Sequence, residues 1–153
     1  MNTHIRFISR RRGVILFCFF AIPLLFPLVF GGCAKAAYRD GIYTGESGRD
    51  DTGAWGEITL TIRDGAVADC RFVTRQKDGT VKGEDYGKVN GEISNQDFYD
   101  KAQLAVRAME QYAVRFLQVR DLSKLDAISG ATIAYNQFIE AAENALREAR
   151  EKR

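Results

Sequence analysis

Two stretches of the sequence alternate between apolar and polar residues in the manner of β-strands. Residues 56–63 do so over a whole strand, and residues 66–73 resume an extended pattern after Asp64-Gly65. An Asp-Gly pair between two such stretches is a strong signal for a tight β-hairpin. The pattern therefore predicts a hairpin, and the β-prone residues around Tyr43 predict at least one further strand.

Later in the chain the apolar residues recur at intervals of three and four, which is typical of an amphipathic helix. A first helix is predicted over residues 96–119, where Ser94 and Asp97 resemble a helix start, and its apolar side carries Phe98, Ala102, Ala105, Met109, Tyr112 and Phe116. A second is predicted over residues 132–150, with Ala134, Phe138, Ala141, Ala142, Ala145 and Ala149 on one side. Residues 74–93 are polar and contain glycine, so we expect loops there. These elements predict an α+β domain in which two long helices cover one face of a small antiparallel sheet.

The N-terminal region differs from the rest of the chain, because residues 14–30 carry no charge and follow Arg6, Arg10, Arg11 and Arg12. This is the layout of a secretory signal. Retention as a transmembrane helix is the alternative, but a run of this length spans only about 25 Å, less than the ~30 Å hydrocarbon core of a bilayer. We predict a signal peptide over residues 1–33, a tether over 34–39 and a folded domain over 40–150.

The end of the apolar run, Gly31-Gly32-Cys33, resembles the lipobox of bacterial lipoproteins. In such proteins the cysteine is acylated and becomes the mature N-terminus. The resemblance implies that Cys33 is the lipidation site, with cleavage without lipid or retention of the segment as alternatives. We therefore expect an exported protein at the outer face of the cytoplasmic membrane, in the periplasm or on the cell surface, held by a lipid anchor.

Charge and composition exclude several classes of function. Of the 22 Lys and Arg residues, four precede residue 33, which leaves 18 against 20 Asp and Glu. The domain is thus near neutral and lacks the basic balance expected of a nucleic-acid-binding protein. The single histidine, His4, precedes the apolar run, so we predict no metal site and no histidine-based catalytic triad in the domain. Cys70, in an alternating apolar stretch, is predicted to be a buried small hydrophobe.

The segment from Asp126 to Thr132 lies at the predicted junction between a loop and the last helix. Its position alone allows a plain structural role, in which Ser129 caps the helix and Thr132 begins it. The same position also suits an anionic ligand, because the first N–H groups of a helix are unpaired and its dipole favours negative charge. Gly130 and Ala131 are small enough to let a bulky group approach the backbone.

Ser129-Gly130-Ala131-Thr132, preceded by Asp126, resembles the flavinylation motif of the FMN-binding domain family. The resemblance implies that a flavin transferase moves flavin mononucleotide (FMN) from FAD onto Thr132 as a phosphoester, outside the cytoplasmic membrane. By their chemistry, Ser129 and the backbone around Gly130 are the best candidates for contacting the phosphate, and Asp126 is a candidate for transferase recognition or for capping the turn.

Aromatic side chains elsewhere in the domain are candidates for stacking on the flavin ring. Tyr43, Trp55 and Tyr86 have flat faces that suit a conjugated ligand, although each can equally be a packing residue.

The function that the resemblance implies is electron transfer by FMN, without enzymatic activity of the protein's own. Its partners would be the flavin transferase and membrane or extracellular redox proteins, with the membrane itself contacted through the lipid anchor. The competing hypotheses are a flavin-free surface lipoprotein that serves binding or adhesion, and a reductase with its own substrate pocket. The absence of a dinucleotide-binding glycine pattern argues against the reductase.

Overall fold

The computed structural model of the chain describes residues 38–151. The predicted signal peptide, the lipidation site Cys33 and most of the predicted tether therefore lie outside the described residues.

Three antiparallel strands form the sheet in the order β1 (Gly41–Glu46), β2 (Trp55–Arg63), β3 (Ala66–Arg75). The predicted hairpin is confirmed as the β2–β3 connection. Asp64 and Gly65 have φ angles of 53° and 72°, the two positive values that a type I′ turn requires.

Two long helices, α1 (Gln96–Val119) and α2 (Thr132–Glu151), are joined by a short 3₁₀ turn at Leu122–Lys124. Helix α1 packs on β3, whereas α2 packs on β1 and β2. The predicted α+β architecture is thereby confirmed. Neither helix of the described segment is both long and apolar enough to cross a bilayer.

The core lies between the sheet and the helices and is centred on Phe138 of α2. Its ring centroid lies 5.0 Å from that of Phe72, 5.8 Å from Phe116 and 5.9 Å from Tyr112. All six residues predicted for the apolar side of α2 are buried, which confirms the spacing argument. Because five of them are alanines, α2 can approach the sheet closely.

The start of α1 differs in detail from the prediction. The N-cap is Asn95, whose side chain accepts a hydrogen bond from the Phe98 N–H group, so the capping role assigned to Ser94 was wrong. Phe98 is 55% exposed, whereas the other residues predicted for the apolar side are partly or fully buried, namely Ala102, Ala105, Met109, Tyr112 and Phe116. The apolar positions of α1 therefore begin about one turn before the part of the helix that is buried.

Cys70 is buried on β3, as predicted. Burial, together with the neighbouring Asp69 carboxylate, raises the pKa of its thiol to about 12. Since the thiolate is the reactive form, the raised pKa makes Cys70 a poor nucleophile in the folded domain.

We expect Gly45→Ala to destabilise the domain by about 3 kcal/mol or more, because the added carbon overpacks the contact between β1 and α2. A Cβ at Gly45 would overlap the Ala141 carbonyl oxygen and would lie 2.7 Å from the Ala145 backbone nitrogen. The free energy of unfolding from urea titration is the measurement. Gly83→Ala is the matched control, since a Cβ at Gly83 meets no atom within 4 Å. Equal stability of the two variants would contradict this account of the contact.

Candidate functional site

Thr132 is the first residue of α2, and its side chain is exposed. The carbonyl of Ala131 accepts the first helical hydrogen bond, from the Tyr135 N–H group at 3.0 Å. Ala131 therefore occupies the N-cap position, and its methyl side chain cannot accept a hydrogen bond. Ser129 lies two residues earlier, in the turn, so the structural alternative in which Ser129 caps the helix does not describe this junction.

The start of α2 is consequently uncapped. Within residues 38–151, the N–H groups of Thr132, Ile133 and Ala134 donate no hydrogen bond to another residue. These three donors and the positive end of the helix dipole lie beside the Thr132 hydroxyl. The arrangement suits a phosphate group carried on that hydroxyl.

Tyr112 of α1 holds the turn that precedes Thr132. Its buried hydroxyl accepts a hydrogen bond from the Ile128 N–H group at 2.7 Å and donates one to the Ala131 carbonyl at 3.3 Å. The same turn is closed by a 2.9 Å hydrogen bond from the Ala131 N–H group to the Ile128 carbonyl. A single core side chain therefore fixes both ends of the turn.

Glycine is required at position 130 within that turn. Gly130 has a φ of 80°, which side chains rarely allow, and a Cβ there would lie 2.9 Å from the Leu104 Cδ2 atom. The motif glycine thus has a conformational reason in this structure.

A cavity of about 350 Å³ opens beside Thr132, a volume within the range of ligand sites. Its wall combines the start of α2 with the loop before β2, the end of β3, the loop after β3 and the middle of α1. The lining residues are Asp50, Thr52, Thr74, Lys82, Tyr86, Ala105, Met109, Gly130, Ala131, Thr132, Ile133, Ala134 and Gln137.

A second cavity of about 550 Å³ shares Thr52, Lys82 and Tyr86 with the first. These three residues therefore border both spaces.

Asp50 is the acidic residue of the cavity beside Thr132. Its Oδ1 atom accepts hydrogen bonds from the Thr52 N–H group at 2.9 Å, the Thr52 hydroxyl at 2.6 Å and the Ala54 N–H group at 3.0 Å. Burial alone would raise the pKa of Asp50, but these hydrogen bonds and the positive charge of Lys82 together lower it below the ordinary value. The carboxylate is therefore both ionised at neutral pH and fixed in place.

Buried polar groups behind Asp50 complete its surroundings. The Gln137 Nε2 atom donates hydrogen bonds to the Asp50 Oδ2 atom at 3.3 Å and to the Ala54 carbonyl at 3.2 Å. The Gln137 Oε1 atom accepts one from the Thr74 hydroxyl at 3.3 Å. These hydrogen bonds connect α2 to the loop before β2, which contains Asp50.

The structure brings together four of the residues that the sequence singled out. Thr132, Gly130, Ala131 and Tyr86 all line the same cavity. Ser129 and Asp126 are exposed in the loop just before them. Among the residues that the structure describes, none donates a hydrogen bond to the Asp126 carboxylate.

The two other aromatic candidates lie elsewhere. Tyr43 is 6% exposed and belongs to the hydrophobic core, facing the helices from β1. Trp55 begins β2, with the Arg49 guanidinium 3.9 Å from its ring centroid. Neither ring lines the cavity beside Thr132.

Several residues of the cavity were not foreseen from the sequence, among them Lys82, Gln137, Thr74 and Met109. Each belongs to an element assigned to packing or to a loop. The regular pattern of α2 did contain one signal, because Gln137 interrupts its apolar side and is nevertheless only 5% exposed. A buried amide needs hydrogen-bond partners, which points to a polar site nearby.

We expect Tyr112→Phe to lower the free energy of unfolding by about 1–3 kcal/mol, because the Ile128 N–H group loses its partner. Amide hydrogen exchange of residues 126–132 should become faster. The matched control is Tyr99→Phe, which removes a hydroxyl that donates to the Glu84 carbonyl at the surface. If both variants exchange and unfold alike, Tyr112 does not hold the turn.

Two proteins with solved structures are similar to this chain. A protein from Clostridium perfringens, known from a crystal structure, is similar to this chain with a TM-score of 0.59 and 22% sequence identity, over 74% of this chain and 90% of that one. A protein from Clostridium thermocellum, known from a solution NMR structure, has a TM-score of 0.43 and 20% identity, over 73% of this chain and 92% of that one. The first similarity supports the fold alone. No functionally curated protein matches the chain.

The family comparison concerns function more directly. The family model of the FMN-binding domain matches residues 53–147, a range that includes the hairpin, α1, the motif ending at Thr132 and most of α2. The chain belongs to the FMN-binding domain family and is, as a member of it, a flavin-binding protein.

Proposed function

We propose that this protein is an exported, membrane-anchored electron carrier whose FMN is covalently attached to Thr132. The observation that carries the proposal is the exposed Thr132 hydroxyl at an uncapped helix start, beside a cavity, in a chain of the FMN-binding domain family. A flavin-free binding or adhesion module would not need this combination.

The attachment is a phosphoryl transfer performed by a separate flavin transferase. The Thr132 Oγ1 atom forms a bond to the FMN phosphorus of FAD, the bond between that phosphorus and the bridging oxygen breaks, and AMP leaves. The hydroxyl proton is released to the transferase or to solvent. The product is a phosphoester that adds one FMN, less one water, to the chain.

Residues of the cavity hold the attached group by noncovalent contacts. The N–H groups of Thr132, Ile133 and Ala134 donate to the phosphate, and the positive end of the α2 dipole stabilises its charge. Tyr86 offers an aromatic face to the ring system. FMN supplies the redox chemistry, because it can take up one or two electrons, and the protein supplies position and electrostatics.

A covalent bond to the cofactor is useful in an exported and anchored protein. An exported domain has no cytoplasmic FMN pool to replace a cofactor that dissociates, and a phosphoester prevents that loss. A lipid at Cys33, followed by the short tether, confines the domain to the membrane surface. Confinement raises its effective concentration near membrane or extracellular redox partners.

We expect Thr132→Ala to abolish covalent flavin, because alanine offers no oxygen to the phosphorus. The chain is co-produced with a flavin transferase, exported, denatured and separated on a gel, and flavin fluorescence is recorded at the position of the protein. Thr132→Ser should retain part of the signal, since it keeps a hydroxyl.

Thr44→Ala is the matched control, because it removes an exposed threonine hydroxyl from β1. It should fluoresce like the unaltered protein. Undiminished fluorescence of Thr132→Ala would show that the acceptor is another residue.

We expect Cys33→Ser to abolish incorporation of a radiolabelled fatty acid into the exported protein, because serine has no thiol to receive a lipid. Metabolic labelling followed by immunoprecipitation is the measurement. Cys18→Ala, in the apolar segment, should be labelled like the unaltered protein. Label that persists in Cys33→Ser, or an unaltered protein without label, would show that Cys33 is not a lipidation site.

A further inference from the structure

The cavity beside Thr132 contains one positive and one negative side chain. Of the described residues that line it, Lys82 and Asp50 are the two that carry charge. Asp50 lies in the loop before β2, and Lys82 lies in the loop after β3. A group inside this cavity is therefore exposed to two fields of opposite sign.

Lys82 has a fixed backbone and an ammonium group that is not paired with a carboxylate. The backbone N–H group of Lys82 donates a 2.8 Å hydrogen bond to the Thr74 carbonyl at the end of β3. Among residues 38–151 its ammonium group forms no salt bridge within 4.0 Å, and it lies 4.8 Å from the ring centroid of Tyr86. The side chain is only half-exposed, so its charge is incompletely screened by water.

Asp50 is arranged in the opposite way. Its carboxylate accepts hydrogen bonds from Thr52, Ala54 and Gln137, which hold the negative charge in one place. The loop before β2 thus provides a fixed anion, and Lys82, whose charge acts on that anion, lies over the aromatic face of Tyr86.

We propose that Lys82 sets the reduction potential of the flavin by stabilising the reduced, negatively charged cofactor, and that Asp50 opposes it. The inference rests on the proposed attachment of FMN at Thr132, because that attachment places the cofactor in this cavity. It assigns to Lys82 a role in tuning the cofactor and not in binding it.

The physical reason is the charge balance of reduction. When oxidised flavin takes up two electrons and one proton, it gains one net negative charge. A nearby ammonium group lowers the free energy of that product, and a nearby carboxylate raises it, with an effect that grows as water is excluded. The phosphate charge, in contrast, is the same before and after reduction.

The test is a redox titration of the exported, flavinylated full chain with dithionite, followed by flavin absorbance. We expect Lys82→Met to shift the equilibrium about tenfold toward the oxidised flavin, which for a two-electron couple lowers the midpoint potential by about 30 mV. Lys82→Arg keeps the charge and should stay near the unaltered value. Asp50→Asn, which keeps the shape of the side chain, should shift the potential in the opposite direction.

Lys101→Met is the matched control. Lys101 is exposed on α1 and lines neither of the two cavities. Its replacement should leave the potential unchanged, because its charge is screened by water. If Lys82→Met fails to accumulate, Asp50→Asn and Lys82→Arg still test the inference.

The outcomes separate this inference from the proposed function. A protein without covalent flavin in the unaltered chain contradicts the attachment at Thr132. Normal flavin content with the same potential in Lys82→Met and Lys101→Met overturns the role of Lys82. Reduced flavin content of Lys82→Met with an unchanged potential also overturns it, because Lys82 would then pair with the phosphate or assist attachment.

Discussion

The position of Thr132 depends on one buried hydroxyl group. Tyr112 lies in the core, with its ring 5.9 Å from that of Phe138 and 5.7 Å from that of Tyr135, and its hydroxyl bonds to both ends of the turn before α2. Because the core fixes the ring, it also fixes the turn. The motif is thus held by the packed interior. This contact keeps Thr132 at the start of α2, with its side chain exposed to solvent.

The cavity depends on the same packing for its other walls. Gly45 and the alanines of α2 let that helix lie close to the sheet, and Gln137 joins α2 to the loop that contains Asp50. Gln137 and Asp50 are therefore hydrogen-bonded to each other although they lie 87 positions apart in the chain. A cavity wall with few charges would suit the proposed electron carrier. The cofactor then performs the chemistry, and the protein sets the position of the cofactor and the electrostatic field around it.

Much of the fold could be predicted from the sequence, because its signals are local. The hairpin at Asp64-Gly65 and the buried side of α2 follow from neighbouring residues alone, and both are confirmed. The cavity could not be predicted in this way, because Lys82 lies in a polar loop and only tertiary structure brings it to the same cavity as Thr132. Tyr43 illustrates the same limit, since nothing local distinguishes an aromatic residue of the core from one beside a ligand.

The most direct measurement of the central claim is tandem mass spectrometry of the exported protein, made in cells that contain a flavin transferase. The account predicts a C-terminal peptide heavier by one FMN less one water, with fragment ions that place the added mass on Thr132. A peptide of unmodified mass in protein that has been exported, or FMN located on any other residue, would contradict it.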